Sequence, residues 1–231
     1  MPSRRGAFIA LDGTDGSGKA TQFKLLMEQL WERGIPFETA SFPQYGTKSA
    51  GPTEEYLSGK YGSASEVGPH ACSILYAVDR FDASFRIRSW LESGIVVLAD
   101  RYVGSNMGHQ GGKIRDEEER QHFFDWVCEL EFGTFRIPRP DLNVVLHIPA
   151  KMAYELIQQR TLGGGSKHTL ARDIHEEDLS HLKTSEEAYL HLARHDAIYR
   201  LVEGTEDGRL LSPAEVHKRV WSVVSPLILP S

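Results

Sequence analysis

The run Gly13-Thr14-Asp15-Gly16-Ser17-Gly18-Lys19 constrains this chain more than any other segment. It is entered directly from the apolar stretch Ala7-Phe8-Ile9-Ala10-Leu11 and followed from Ala20 by residues at helical spacing. A glycine-rich turn between a buried strand and a helix demands an α/β layer, because the helix must pack back on the strand that feeds it. The same turn carries chemistry. Glycines let successive backbone N–H groups converge on one polyphosphate, the helix N-terminus adds positive potential, and Lys19 reaches the outer phosphates. The expected ligand is a nucleoside triphosphate held by Gly13, Asp15, Gly16, Ser17, Gly18, Lys19, Ala20 and Thr21. The alternative is a structural turn with no ligand.

One position departs from the general pattern of such loops. The residue after Lys19 is usually Ser or Thr, with its hydroxyl on magnesium, and here it is Ala20, with the hydroxyl one place later in Thr21. Neighbouring helical residues point about 100° apart, so Thr21 cannot simply replace the missing ligand. Nucleotide kinases of the adenylate kinase type carry a similar Gly-Lys-Gly-Thr run. The departure therefore favours small phosphotransferases over switch GTPases, whose Asn-Lys-x-Asp box is absent as well.

At 231 residues, with no Pro- or Ser-rich linker, the chain reads as one domain over 1–231. A net charge of −6 gives no basic field for a nucleic-acid backbone, so phosphate recognition is expected in pockets and nucleic acid is not an expected partner. Cys72 and Cys128 lack metal-ligand spacing and read as reduced thiols. Met1-Pro2-Ser3-Arg4-Arg5 leads straight into the first strand, and no apolar run approaches membrane-spanning length. The expectation is a cytoplasmic protein with no membrane association.

Strand-like runs at 7–12, 37–42, 95–99, 142–148 and 198–202 alternate with helical patterns at Lys19–Trp31, Pro69–Leu91, Asp116–Phe132, Glu176–Arg194 and Pro213–Val224. This predicts a three-layer α/β fold, a parallel sheet of about five strands with helices on both faces. Along 69–91, Ile74, Leu75, Val78, Phe81 and Phe85 form an apolar stripe that suits either the core or a subunit interface. In such sheets ligands sit beyond the carboxyl ends of the strands. There the chain places the glycine-rich loop, Phe42-Pro43-Gln44-Tyr45-Gly46 and Asp100-Arg101-Tyr102. Asp100 and Arg101 suit either a structural ion pair or a site for a second phosphate, which a guanidinium fork matches.

These motifs resemble those of the thymidylate kinase family over most of the chain. Asp100-Arg101-Tyr102-Val103-Gly104-Ser105-Asn106, continuing to Gln110-Gly111, resembles its Asp-Arg-Tyr-x-x-Ser signature. The 42–46 segment resembles its Phe-Pro-x-Tyr-Gly loop, and Leu75-Tyr76-Ala77-Val78-Asp79-Arg80 its Leu-Phe-Ala-x-Asp-Arg helix. The resemblance implies a P-loop kinase fold, ATP and dTMP as substrates, Mg2+ as cofactor and a homodimer. It implies that Lys19, Asp15 and Arg101 act in catalysis, Arg101 clamping the acceptor phosphate. Asp15 and Asp100 would serve the metal. Tyr76 would stack on the pyrimidine, Arg80 and Asn106 would bond the base, and Phe42, Pro43 and Tyr45 would wall the sugar side. Ser105, His109 and Gln110 complete the implied acceptor set. On spacing alone, Tyr76 and Arg80 also suit a core aromatic and a solvated arginine.

Three residues depart from the signature: His109 stands where the family has Tyr or Phe, and Gly108 and Ala99 are also atypical. Gly16 replaces the Arg of one subgroup's phosphate loop, which implies the other subgroup, whose catalytic basic residues lie in a mobile lid. Residues 159–173 suit that lid. Three consecutive glycines supply hinge freedom, and Arg160, Lys167 and Arg172 supply charge, with Arg160 and Arg172 as the catalytic candidates. A solvated basic loop is the alternative. The implied reaction moves the γ-phosphoryl of ATP to dTMP. Another nucleotide or nucleoside kinase, or a regulatory module without catalysis, are the other readings.

Overall fold

A computed structural model describes residues 5–162 and 179–229. The elements run β1 (Phe8–Gly13), α1 (Lys19–Glu32), β2 (Phe37–Ser41), α2 (Gly51–Leu57), α3 (Ala64–Val67), α4 (Pro69–Glu92), β3 (Val96–Asp100) and α5 (Val103–Gly111). They continue α6 (Glu117–Cys128), a π-helical turn Glu129–Thr134, β4 (Leu142–His147), α7 (Ala150–Leu162), α8 (Leu179–His195), β5 (Tyr199–Glu203), β6 (Thr205–Glu206), β7 (Arg209–Leu210) and α9 (Pro213–Ile228).

Strands β1 to β5 form one parallel sheet in the order β2-β3-β1-β4-β5. Alternate side chains of a strand face opposite ways, so the sheet has two cores. Phe8, Ala10, Val97, Ala99 and Val145 pack with residues of α4, α5, α6 and α8, among them Ile87, Met107, Phe123 and Tyr189. Ile9, Leu11, Leu98, Val144 and Leu146 pack with Leu26 and Leu30 of α1 and Val216, Val220 and Val224 of α9. The three-layer α/β expectation therefore holds, strand by strand.

The helices depart from expectation in four places. The pattern at 116–132 is α6, capped by the Asp116 side chain, followed by the π-helical turn. Helices α2, α3, α5 and α7 are additional, and 159–162, assigned to the lid, still belong to α7. The remaining lid segment, with Lys167 and Arg172, lies outside the described residues, as does the Arg160 side chain. On α4 the apolar stripe faces outward, with Phe85 61% and Ile74 43% exposed, and the helix buries Cys72, Ser73, Ala77, Ala83, Ser84 and Ile87 instead. Small residues let α4 lie close to the sheet.

His147 at the end of β4 ties together the two helices that flank the expected lid. Its Nε2 meets Glu186 of α8 at 2.8 Å and its Nδ1 meets Glu203 of β5 at 2.6 Å, while the other Glu186 oxygen accepts from the Ala150 amide opening α7. Burial alone would lower its pKa, but the two carboxylates raise it above the ordinary value. A raised histidine stabilises the fold fully below the unfolded pKa, about 6.5, and that contribution is lost as pH rises through the folded value. The melting-temperature gap between the parent and His147→Gln should therefore be widest in mildly acidic buffer and narrow toward pH 9. A gap that widens with pH contradicts the assignment.

Candidate active site

The loop between β1 and α1 is held open by backbone conformation. Gly18, the residue before α1, has φ +90°, and a Cβ there would meet nothing within 4 Å, so the left-handed backbone rather than crowding calls for glycine. The first amides of α1 have no carbonyl ahead of them and face this space. Lys19 folds back over the loop, donating to Gly13 O at 2.9 Å and Thr14 O at 2.8 Å, with Asp15 Oδ1 3.7 Å away. Burial, and then the nearby Arg101, bring its ammonium down to about 8. Thr14 Oγ1 and Ser17 Oγ are buried without partners among the described residues. Buried hydroxyls without partners suit a ligand that supplies acceptor oxygens. Ala20 and Thr21 are exposed.

Arg101 follows β3 with φ +64°, a conformation rare and strained for a residue with a side chain. Its amide bonds Leu11 O at 2.9 Å, pinning that turn to β1. The guanidinium is held at two corners, Nη2 on Asp15 Oδ1 and Nη1 against His109 Nε2 at 3.1 Å. Asp15 is kept well below the usual carboxylate range: burial opposes this, and Arg101 and Lys19 outweigh it. A loop carboxylate thus fixes a second cation beside the first. Two such fixed cations suit two phosphate groups at once.

Asp12, which the sequence reading left out, ends β1 fully buried. Its Oδ1 accepts from the Tyr102 amide at 3.1 Å and from the Ser105 hydroxyl, and its Oδ2 has no partner among the described residues. Ser105 is therefore turned toward the sheet, not toward an acceptor. Asp100 makes no side-chain hydrogen bond among the described residues. Burial pushes its carboxyl up, and Arg101 and Lys19 oppose that rise. A hard cation is commonly held by one or two carboxylates, waters and substrate phosphates, and Asp100 fits that donor set, whereas the orphaned Asp12 oxygen packs against Gly104 beside Asn143 and Tyr199. No group of three metal-ligating side chains occurs among the described residues, so the protein offers no cage of its own. Asp15 Oδ1 meets Arg101 and lies 3.7 Å from Lys19, so this carboxylate sits between the two cations of the loop.

The remaining candidate residues lie on the 42–46 loop, α4 and α5. Asp79 anchors the 42–46 loop: its carboxylate accepts from the Gln44 amide at 2.8 Å, the Gln44 side chain at 2.9 Å and the Ser49 hydroxyl at 2.8 Å. Phe42 is 4% exposed and packs on Tyr102, 5.5 Å between ring centres, so it fastens this loop to the core instead of walling a sugar. Pro43 is half-buried and Tyr45 exposed. Tyr76 is half-buried, its ring meeting Tyr56 edge-on at 6.4 Å. Asn106 is buried, its Oδ1 taking the Ser73 hydroxyl at 3.2 Å while Nδ2 has no partner among the described residues. One turn later, the buried Gln110 Oε1 is equally unmet. Unmatched donor and acceptor atoms on one helix face suit a ligand edge offering both.

Burial of Arg80 excludes the solvated alternative. The side chain is 2% exposed, and its Nε and Nη2 grip Glu131 of the π-helical turn, itself fully buried, with Nε to Oε1 at 3.0 Å. The arginine is neither solvated nor free to swing. Its Nη1 edge makes no hydrogen bond among the described residues. The Gly108 departure also has a physical cause, since a Cβ there would lie 2.3 Å from the Tyr189 ring, which α8 packs against α5. Sequence reasoning missed Asp12, Asp79, Glu131, His181 and Tyr189. Asp12 and Asp79 did carry a signal, as charges within buried patterns beside quoted motifs, whereas Glu131 and the two α8 residues gave none.

Residues 11–208 match the family described as thymidylate kinase. The chain is 32% identical over 187 residues to a thymidylate kinase of Mycobacterium tuberculosis, covering 80% of this chain and 85% of that one. It is 31% identical over 148 residues to a thymidylate kinase of Homo sapiens, 64% of each. A solved thymidylate kinase of Candida albicans superposes with a TM-score of 0.71 at 20% identity, covering 96% of this chain and 92% of that one, which shows a shared fold. With the family model matching residues 11–208 and a relative 32% identical over 80% of the chain, this protein belongs to the thymidylate kinase family.

Proposed function

We propose that this protein transfers the γ-phosphoryl group of ATP to dTMP, giving dTDP and ADP. The observation that carries the reading is the Asp15–Arg101 pair, which joins the donor loop to a second phosphate-binding cation at the next strand end. Lys19 and the loop amides would hold the donor phosphates, and Arg101 the acceptor phosphate in line with them. Phosphoryl transfer through a loose transition state needs positioning and charge neutralisation more than proton transfer, and the acceptor phosphate is already ionised near neutral pH. Asp100 would hold Mg2+, which when bound would supply positive charge to neutralise the donor phosphates. Arg160, near the end of α7, and Arg172 beyond it would add cations to the transferred phosphoryl group, a role their sequence position alone supports. Asn106, Gln110 and the open edge of Arg80 meet a base with a carbonyl beside an N–H, as thymine has. Tyr76, backed by Tyr56, would stack on it.

Release of ADP measured with and without dTMP, then with dUMP, dCMP and the ribose form of TMP, tests this. Stimulation by dTMP over dCMP is expected. Equal use of dCMP would remove the thymidylate assignment while keeping the kinase one.

A second copy of the chain fits the outward face of α4. Phe81 stacks edge-on with Phe85 at 5.4 Å and lies 5.3 Å from Phe135, an aromatic cluster at the surface beside Ile74 and Val78. Contiguous exposed apolar patches of this kind mark association surfaces. Phe85→Glu should convert a dimer into a monomer by light scattering without loss of folded signal, and a parent already monomeric would reject the interface. No described helix is long and apolar enough to cross a membrane, and a cytoplasmic setting fits the chemistry proposed.

A further inference from the structure

The histidine that replaces the signature aromatic is wired into the phosphate clamp. Arg101 Nη1 lies 3.1 Å from His109 Nε2, and His109 Nδ1 lies 3.3 Å from His181 Nε2. The two rings are within 15° of parallel. Ser185 Oγ approaches the same His181 nitrogen at 3.4 Å, and Tyr189 meets the His109 ring edge-on at 6.0 Å. Residues 181, 185 and 189 recur every four positions and so share one face of α8. That face can reach α5 because Gly108 leaves room for Tyr189.

Hydrogen-bond logic then assigns every proton in this chain. A guanidinium has donors only, so His109 Nε2 must present its lone pair. A neutral imidazole carries one N–H, which must therefore sit on His109 Nδ1, and His181 Nε2 must accept it. We propose that His181 is a positioning residue for the acceptor phosphate, acting through His109 to fix the tautomer that holds Arg101. The inference rests on the reading of Arg101 as the acceptor clamp.

The charged groups around His109 are Asp15, Lys19 and Arg101 from the phosphate-loop side, and His181 from α8. Burial first, and then Arg101, His181 and Lys19, hold its pKa well below the usual histidine value, with Asp15 opposing. That keeps the ring neutral, as an acceptor for Arg101 must be. A tyrosine in this position has no tautomer to choose. A histidine does: without His181 the Nδ1–H is left unmet and only Arg101 still favours that tautomer, so the Nε2–H form gains population, and in it two donors face each other and Arg101 loses one of its two supports.

The test compares parent, His181→Phe and His181→Gln. The imidazole 15N resonances of the unliganded parent should report His109 as the Nδ1–H tautomer, shifting to Nε2–H in His181→Phe. His181→Phe should weaken dTMP binding by calorimetry and raise its KM roughly tenfold, the scale of one charge-assisted contact, with kcat and the KM for ATP changed much less. His181→Gln, whose amide oxygen can accept from His109, should recover most of that loss. An Nε2–H tautomer in the parent overturns the proposal, as does a His181→Phe protein that binds dTMP like the parent. If His181→Phe does not fold, the parent spectrum and the glutamine variant still decide. A parent that fails to bind dTMP yet shows the Nδ1–H tautomer would instead overturn the acceptor reading of Arg101, a distinct result.

Discussion

Lys19→Ala should give a folded protein whose turnover is at least a hundredfold lower, about the effect of removing one preorganised charge from a transition state. Folding survives because the lysine's ammonium caps two loop carbonyls and not a core group, and burial and Arg101 already make its charged form costly to hold. The same cost predicts a pH signature. In the free enzyme the ammonium is lost as pH rises through about 8. The specificity constant for ATP, which reports free-enzyme ionisations, should therefore fall over that range. Bound polyphosphate favours the protonated form, so the limb in kcat should lie higher. Lys19→Arg should remove the limb from the specificity constant whatever its effect on absolute rate. A Lys19→Ala enzyme within a few fold of the parent would refute the phosphate-loop mechanism.

How much of this could be read in advance depended on whether the responsible interaction was local. All five sheet strands were legible, because runs such as Phe8–Leu11 and Val96–Ala99 are apolar for a local reason, burial on both faces. The phosphate loop was legible for the same reason, since its glycines and lysine are neighbours in sequence. Helix α5 was not, because Gly104, Gly108 and Gly111 lower its helical propensity while serving packing against Asp12, Tyr189 and Phe124. The stripe on α4 was seen, but its direction was not. Periodicity locates a face, and only tertiary packing says whether that face is covered. Arg80 was recognised from its motif, yet its partner Glu131 lies 51 residues away on a π-helical turn that no local pattern announces.

That pair sets the other large effect. Arg80→Ala should destabilise the fold by about 3–5 kcal/mol, because it leaves the Glu131 carboxylate buried with no counter-charge. Loss of dTMP use in that single variant would therefore confuse recognition with unfolding. Replacing both partners by apolar residues separates them, since a buried ion pair exchanged for packed hydrophobic side chains is often neutral in stability. Arg80→Met with Glu131→Leu should melt near the parent temperature. It should nonetheless discriminate poorly between dTMP and dCMP. An arginine edge meets the thymine carbonyl favourably and faces the cytosine amino group as donor against donor, a difference of about 1–3 kcal/mol that the double variant forfeits. Glu131→Gln supplies the intermediate case: an amide oxygen can still hold Arg80 Nε, so orientation and base preference should outlast the charge. Melting curves together with specificity constants for the two acceptors decide it. A stable double variant that keeps the parent's preference for dTMP would make the Arg80–Glu131 pair purely structural and leave base choice to Asn106 and Gln110.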